Sequence, residues 1–170
     1  LDLSYSIKNK YVHFFADAYL NHISDYISQI TRISDHAFAG STIESITLHN
    51  GVSYIGDHAF DGCANLNNVF MPSSVKYAGH YAFANCASMS NFVFEDMPDG
   101  ADPYVIGTHF FDGCTAMTQV TLPNKMVMTE EEAKTYRIGT ANNIYNPNGV
   151  MPSYMFANTG IVHAVIPARI

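Results

Sequence analysis

Apolar positions recur along this chain at a spacing of three and then two, too short for a helical stripe and repeated too regularly for chance. In Leu66-x-x-Val69-x-Met71 the pattern predicts a short strand with Val69 and Met71 turned inward and Phe70 outward. The same spacing recurs in Ile43-x-x-Ile46-x-Leu48, Met89-x-x-Phe92-x-Phe94, Met117-x-x-Val120-x-Leu122 and Ile161-x-x-Ala164-x-Ile166. Ahead of each strand stands a marker phenylalanine, in the series Phe15, Phe38, Phe60, Phe83, Phe111 and Phe156. The intervals are 23, 22, 23, 28 and 45 residues, a basic period with extra residues in the last two. Self-similarity at such a period is the signature of a solenoid.

Register holds toward both ends. Leu1, Leu3, Ile7, His13 and Phe15 keep the offsets of Ile46, Leu48, Val52, His58 and Phe60. The expectation is one solenoid over residues 1–170, incomplete at both ends, with loop insertions near 95–105 and 124–150. Over the first residues an alternative stays open, because Tyr11, Phe15, Ala18, Tyr19, Ile23 and Ile27 also fit one face of an amphipathic helix. Within each repeat, His-Ala-Phe-x-Gly-Cys is too short for an α-helix and predicts a 3₁₀ or irregular turn. Pro72, Pro123 and Pro167 then end the strands.

The combined pattern Ile-x-x-x-Ala-Phe-x-Gly-Cys-x-x-Leu-x-x-Val-x-hydrophobic-Pro resembles the BspA-like leucine-rich repeat family of bacterial and protozoan surface proteins. The likeness is strongest over residues 33–123, clear again over 150–167 and weak over 1–32. It implies the α/β repeat class, β-rich: a leucine-rich-repeat solenoid with one short parallel strand and a 3₁₀ or irregular turn per repeat of about 23 residues. It further implies export, a place at the cell surface, and a sheet face used for binding.

On that face the outward residues form two columns. One is Ser45, Asn68, Asn91, Gln119 and His163; the other is Thr47, Phe70, Val93, Thr121 and Val165. Asn68, Phe70, Asn91, Val93, Gln119 and Thr121 are the candidate binding residues, with Phe70 conspicuous as an outward aromatic. The competing reading is that stacked Asn and β-branched residues only stabilise a parallel sheet.

Composition narrows the partner. A net charge of −7 with eight Lys and Arg offers no basic stripe for nucleic acid, and no apolar run approaches the length of a membrane span. The partner that the family resemblance implies is a host or bacterial surface protein or a glycan, and no cofactor is called for. Cys63, Cys86 and Cys114 share one column with Ala18, Ser41 and Thr159, all small, which predicts free buried thiols rather than a disulfide or zinc site. Two residues before each marker stand His13, His36, His58, Tyr81, His109 and Tyr154. The two tyrosines argue against a metal ladder and for flat rings stacking along the surface. Charging neighbouring imidazoles below about pH 6 would then cost repulsion.

Both insertions are expected to leave one edge of the solenoid and to form a second candidate surface. The segment Glu95-Asp-Met-Pro-Asp-Gly-Ala-Asp102 reads as a solvated acidic loop without EF-hand spacing. Thr129-Glu-Glu-Glu132 reads as a capping box opening a helix through Arg137. No catalytic residue is assigned: there is no G-x-S-x-G, no H-E-x-x-H and no phosphate-cradling loop. The readings carried forward are a non-enzymatic adhesion-type binding module and, in a different class, a structural spacer rod. A ligand or hydrolytic site on the 124–150 loop is a weaker third.

Overall fold

The computed structural model describes residues 31–128, 152 and 154–165. Every repeat in that range adds one rung to a parallel stack. The expected strands are present as β2 (Ser45–Thr47), β4 (Asn68–Met71), β6 (Asn91–Phe94), β8 (Gln119–Thr121) and β10 (His163–Val165). They pair side by side in parallel, in the order β10-β8-β6-β4-β2. Sequence and structure part over the number of strands per repeat, which is two. The Ile-type position ahead of each turn lies in a second set: β1 (Arg32–Ile33), β3 (Tyr54–Ile55), β5 (Tyr77–Ala78), β7 (Tyr104–Ile106) and β9 (Met126–Met128). These build a separate parallel sheet, β1-β3-β5-β7-β9. Two or three residues are too few for a period-two alternation to register, so this sheet is stabilised by rung-to-rung pairing that no local pattern announces.

The turn between the two strands is a third bonded ladder. The marker phenylalanine donates its backbone N–H to the next rung: Phe38 to Ala59 O at 2.7 Å, Phe60 to Ala82 O at 2.8 Å, Phe83 to Phe110 O at 3.1 Å. Residues two before and two after each marker donate in the same way, for example His58 to His80 O at 2.8 Å and Gly62 to Ala84 O at 2.9 Å. Intervening residues close short turns within the rung, such as Ala37 N–H to Ser34 O at 3.2 Å. Aiming alternate N–H groups along the axis requires left-handed backbone at both flanking positions. His36, His58, Tyr81, His109 and Tyr154 have φ between 54° and 58°, while Gly40, Gly62 and Gly113 have φ between 69° and 77°, with Asn85 and Asn158 in their column at 54° and 52°. Glycine, Asn and His tolerate this region best, which accounts for both columns.

Between the sheets the core is a set of side-chain columns. Phe38 stacks on Phe60 with ring centroids 5.1 Å apart, and Phe60 on Phe83 at 4.8 Å. Past Phe83 the packing becomes edge-to-face through Phe92, Phe110 and Phe111. The three cysteines are free and buried, as their column predicts. Each thiol donates to the marker carbonyl one rung back: Cys63 to Phe38 O at 3.0 Å, Cys86 to Phe60 O at 3.3 Å, Cys114 to Phe83 O at 3.1 Å.

The insertions do not leave from a shared corner. The first, Glu95 to Pro103, joins β6 to β7 and therefore borders the longer-stranded sheet. In the second, β9 carries the chain through Met128 in register with β7, and the turn resumes by Pro152. The extra residues thus follow the shorter-stranded sheet, one corner further round. The helix expected from Thr129 through Arg137, and the first repeat with its alternative helix, lie outside the described residues.

Candidate functional site

The open face of the sheet β10-β8-β6-β4-β2 presents the two anticipated columns in register. Ser45 pairs with Asn68, Asn68 with Asn91, and Gln119 with His163; Thr47 pairs with Phe70, Phe70 with Val93, and Val93 with Thr121. Strand alternation turns Val69, Met71, Phe92 and Phe94 into the core and leaves every member of both columns exposed. Phe70 retains 47 % of its accessible surface, Val93 42 % and Val165 43 %, a large apolar exposure for a strand face.

The amide column differs from several other polar columns among the described residues. In several other columns, stacked polar side chains bind one another or the adjacent backbone. Asn85 Nδ2 donates to Asp61 Oδ1 and Asn158 Nδ2 to Asp112 Oδ1, both at 2.8 Å. Ser90 Oγ donates to Asn67 Oδ1 at 2.7 Å. The Asp57 N–H donates to Asp35 Oδ1 at 3.0 Å, and the His80 N–H to Asp57 Oδ1 at 2.8 Å. The side-chain amides of Asn68, Asn91 and Gln119, by contrast, have no hydrogen bond among the described residues. A column that served only to stabilise the sheet would be expected to close amide on amide.

The first insertion begins at the strand-exit edge of this face. Glu95 follows Val93 by two residues and continues the ladder, its N–H bonded to Met71 O at 2.9 Å. Its carboxylate accepts the Ser73 N–H at 2.7 Å, and the Ser73 backbone and side-chain bonds hold the Glu95 pKa below the usual carboxylate range. From the following rung Asn124 grips the loop three times. It accepts the Met97 N–H at 2.8 Å, donates its side-chain amide to Met97 O at 3.0 Å, and donates its backbone N–H to Asp96 Oδ1 at 3.2 Å. Lys125 Nζ donates to Pro98 O at 3.0 Å, and the buried Tyr104 hydroxyl donates to Glu95 O at 2.8 Å. Met97 is buried. The segment expected as a solvated loop is thus a clamped ridge whose Asp96, Asp99 and Asp102 are exposed. Sequence reasoning noticed the carboxylates and missed the clamp, since Asn124 carries no motif of its own.

The ring column is an unbroken stack over five rungs. His36, His58, Tyr81, His109 and Tyr154 follow one another with centroids 4.8, 4.8, 4.4 and 4.6 Å apart. His58 Nδ1 lies 2.8 Å from Asp61 Oδ2, and His109 Nδ1 lies 2.8 Å from Asp112 Oδ2. Among the described residues no group of three or more His, Cys, Asp or Glu is placed to hold a metal ion, and no helix is long and apolar enough to cross a membrane.

Comparison with known proteins agrees with this geometry. A family model described as the BspA type leucine rich repeat region matches in six copies, over residues 6–125 and 102–170. Among solved structures, the leucine rich repeat protein of T. pallidum is 27 % identical, with a TM-score of 0.58. That match covers 81 % of this chain and 66 % of the other. A leucine-rich repeat protein from Bacteroides ovatus is 20 % identical over 81 % of this chain and 46 % of its own, with a TM-score of 0.35. The chain therefore spans less than two thirds of either structure. No curated protein matches it.

Proposed function

The chain belongs to the BspA-type leucine-rich repeat family, and we propose that it is a non-enzymatic binding module of a secreted or surface-anchored bacterial protein. Its binding surface is the open strand face, with Asn68, Asn91 and Gln119 supplying hydrogen bonds and Phe70, Val93 and Thr121 supplying apolar contact. The observation that carries this reading is the unbonded amide column. Three side chains with donor and acceptor capacity stand in register on the sheet, beside exposed apolar surface, while the Asn67–Ser90 and Asp61–Asn85 columns bond internally. Rigidity matters because a partner then meets groups that need little further ordering.

Screening the chain against immobilised peptides and oligosaccharides tests the assignment. Replacing Asn68, Phe70 and Asn91 together with Ala should abolish the ligands found while leaving the unfolding transition cooperative. Ligands that survive the triple substitution would remove the strand face from consideration. A second reading, a stiff spacer that displays another domain, draws support from the three rung-to-rung bonded ladders. It requires that the triple substitution change no interaction.

A further inference from the structure

The first insertion gives the strand face a charge polarity that distinguishes among partners. Glu95 and Asp96 directly follow β6 at the strand-exit margin of the sheet, Glu95 two residues after Val93, and the exposed Asp99 and Asp102 follow in the loop that leads to β7. Of the described cations one lies at this loop and two on the other sheet. Arg32 covers the Tyr54 ring at 3.7 Å on the other sheet, Lys76 directly precedes β5 on that same sheet, and Lys125 is bonded to Pro98 O. Lys125 keeps its charge at the loop, so four carboxylates stand against one ammonium there, and no described Lys or Arg stands in the columns of the strand face.

We propose that this face receives a cationic, extended segment of another protein, its aliphatic side chains on Phe70 and Val93 and its Lys or Arg side chains toward Asp96, Asp99 and Asp102. The proposal rests on the strand face being the binding surface. Three observations select this occupant. The ridge repels anionic glycans and acidic proteins, and low-dielectric neighbours such as Phe70 and Val93 strengthen that repulsion. An exposed Phe ring attracts Lys and Arg through its face, a preference that matches the carboxylates beside it. A neutral glycan would call for a run of broad aromatic surfaces, whereas Phe70 is the one aromatic in a column otherwise made of Thr47, Val93, Thr121 and Val165. The clamp from Asn124, Lys125 and Tyr104 holds the loop backbone and the Asp96 carboxylate in place before the partner arrives, which lowers the ordering cost of binding.

The test uses the full chain and four probes: an alternating Val-Lys octapeptide, its Val-Glu and Val-Ser counterparts, and a neutral β-linked oligosaccharide. Titration calorimetry should show the Val-Lys peptide bound most tightly. Its affinity should fall about tenfold when Asp96, Asp99 and Asp102 are all replaced by Asn, which leaves the Asn124 contact with an acceptor. A comparable fall is expected between about 0.1 M and 1 M salt, where the Debye length shrinks from roughly 10 to 3 Å. A Phe70→Ser, Val93→Ser variant should also lose the peptide. Equal binding of the Val-Lys and Val-Glu probes, preference for the oligosaccharide, or an unchanged ridge variant would overturn the cationic partner while leaving the strand face standing. Retention of the Val-Lys peptide by the Phe70, Val93 variant would overturn the strand-face reading itself. Failure of all four probes to bind would overturn both.

Discussion

Replacing Tyr81 with Gly should destabilise the protein less than replacing it with Ala, the reverse of the ordinary order. Tyr81 sits at φ 54° and stacks on two rings, His58 at 4.8 Å and His109 at 4.4 Å. Each stack contributes about 0.5–1.5 kcal/mol, so either substitution forfeits roughly 1–3 kcal/mol. Alanine keeps the left-handed backbone cost of about 1–2 kcal/mol that tyrosine already bears. Glycine removes that cost, and returns about 0.4–1 kcal/mol of it through the greater freedom of the unfolded chain. The net expectation is Tyr81→Gly more stable than Tyr81→Ala by about 0.5–1 kcal/mol, with Tyr81→His close to the parent because a flat ring is restored. Urea unfolding of the full chain, followed by circular dichroism with a shared slope across the three variants, measures the order directly. If the Gly variant proves less stable than the Ala variant, the left-handed ladder is not what places aromatics in this column.

Three further outcomes follow from contacts already described. Gly79→Ala should cost about 3 kcal/mol, because a Cβ there would lie 2.6 Å from Asp57 N and 2.8 Å from Gly56 C in the rung below, whereas Gly100→Ala, with open space around it at φ 75°, should cost about 1 kcal/mol. Native protein should resist an aromatic disulfide reagent at about pH 8 until denaturant exposes Cys63, Cys86 and Cys114. Burial raises the Cys63 pKa, and the adjacent Cys114 thiol together with burial raises that of Cys86, so rapid labelling of the folded chain would contradict the packing. Glu95 has a depressed pKa, so its stabilising effect is present above the unfolded carboxylate value and is lost as pH falls through the folded one. Stability of the parent minus that of Glu95→Ala should therefore shrink from about pH 6 to pH 3, and a constant difference would rule out the Ser73 contact as its source.

Much of the fold was legible because each repeat restates the same local requirements. A strand whose alternate residues enter a core must show that alternation, so Val69, Met71 and Phe70 declared their sides, and small residues at the Cys column declared a tight interior. The two-residue strands around Ile55 and Ala78 declared nothing. Their stability comes from the rung above and the rung below, and a segment that short has no period to show. The corner from which each insertion departs was hidden for the same reason, since only the pairing of Met126–Met128 with Tyr104–Ile106 shows that the second one follows the other sheet.

The candidate site divides along the same line. Sequence by itself determined which residues stand on the strand face, because period-two alternation and the repeat register leave no other arrangement for Asn68, Phe70, Asn91, Val93, Gln119 and Thr121. It could not determine whether those side chains were already bonded to one another, nor whether the acidic segment was loose. Both depend on contacts between rungs separated by more than twenty residues, such as Asn124 with Met97 and Ser73 with Glu95. Such contacts are products of stacking geometry, and only the tertiary structure decided them.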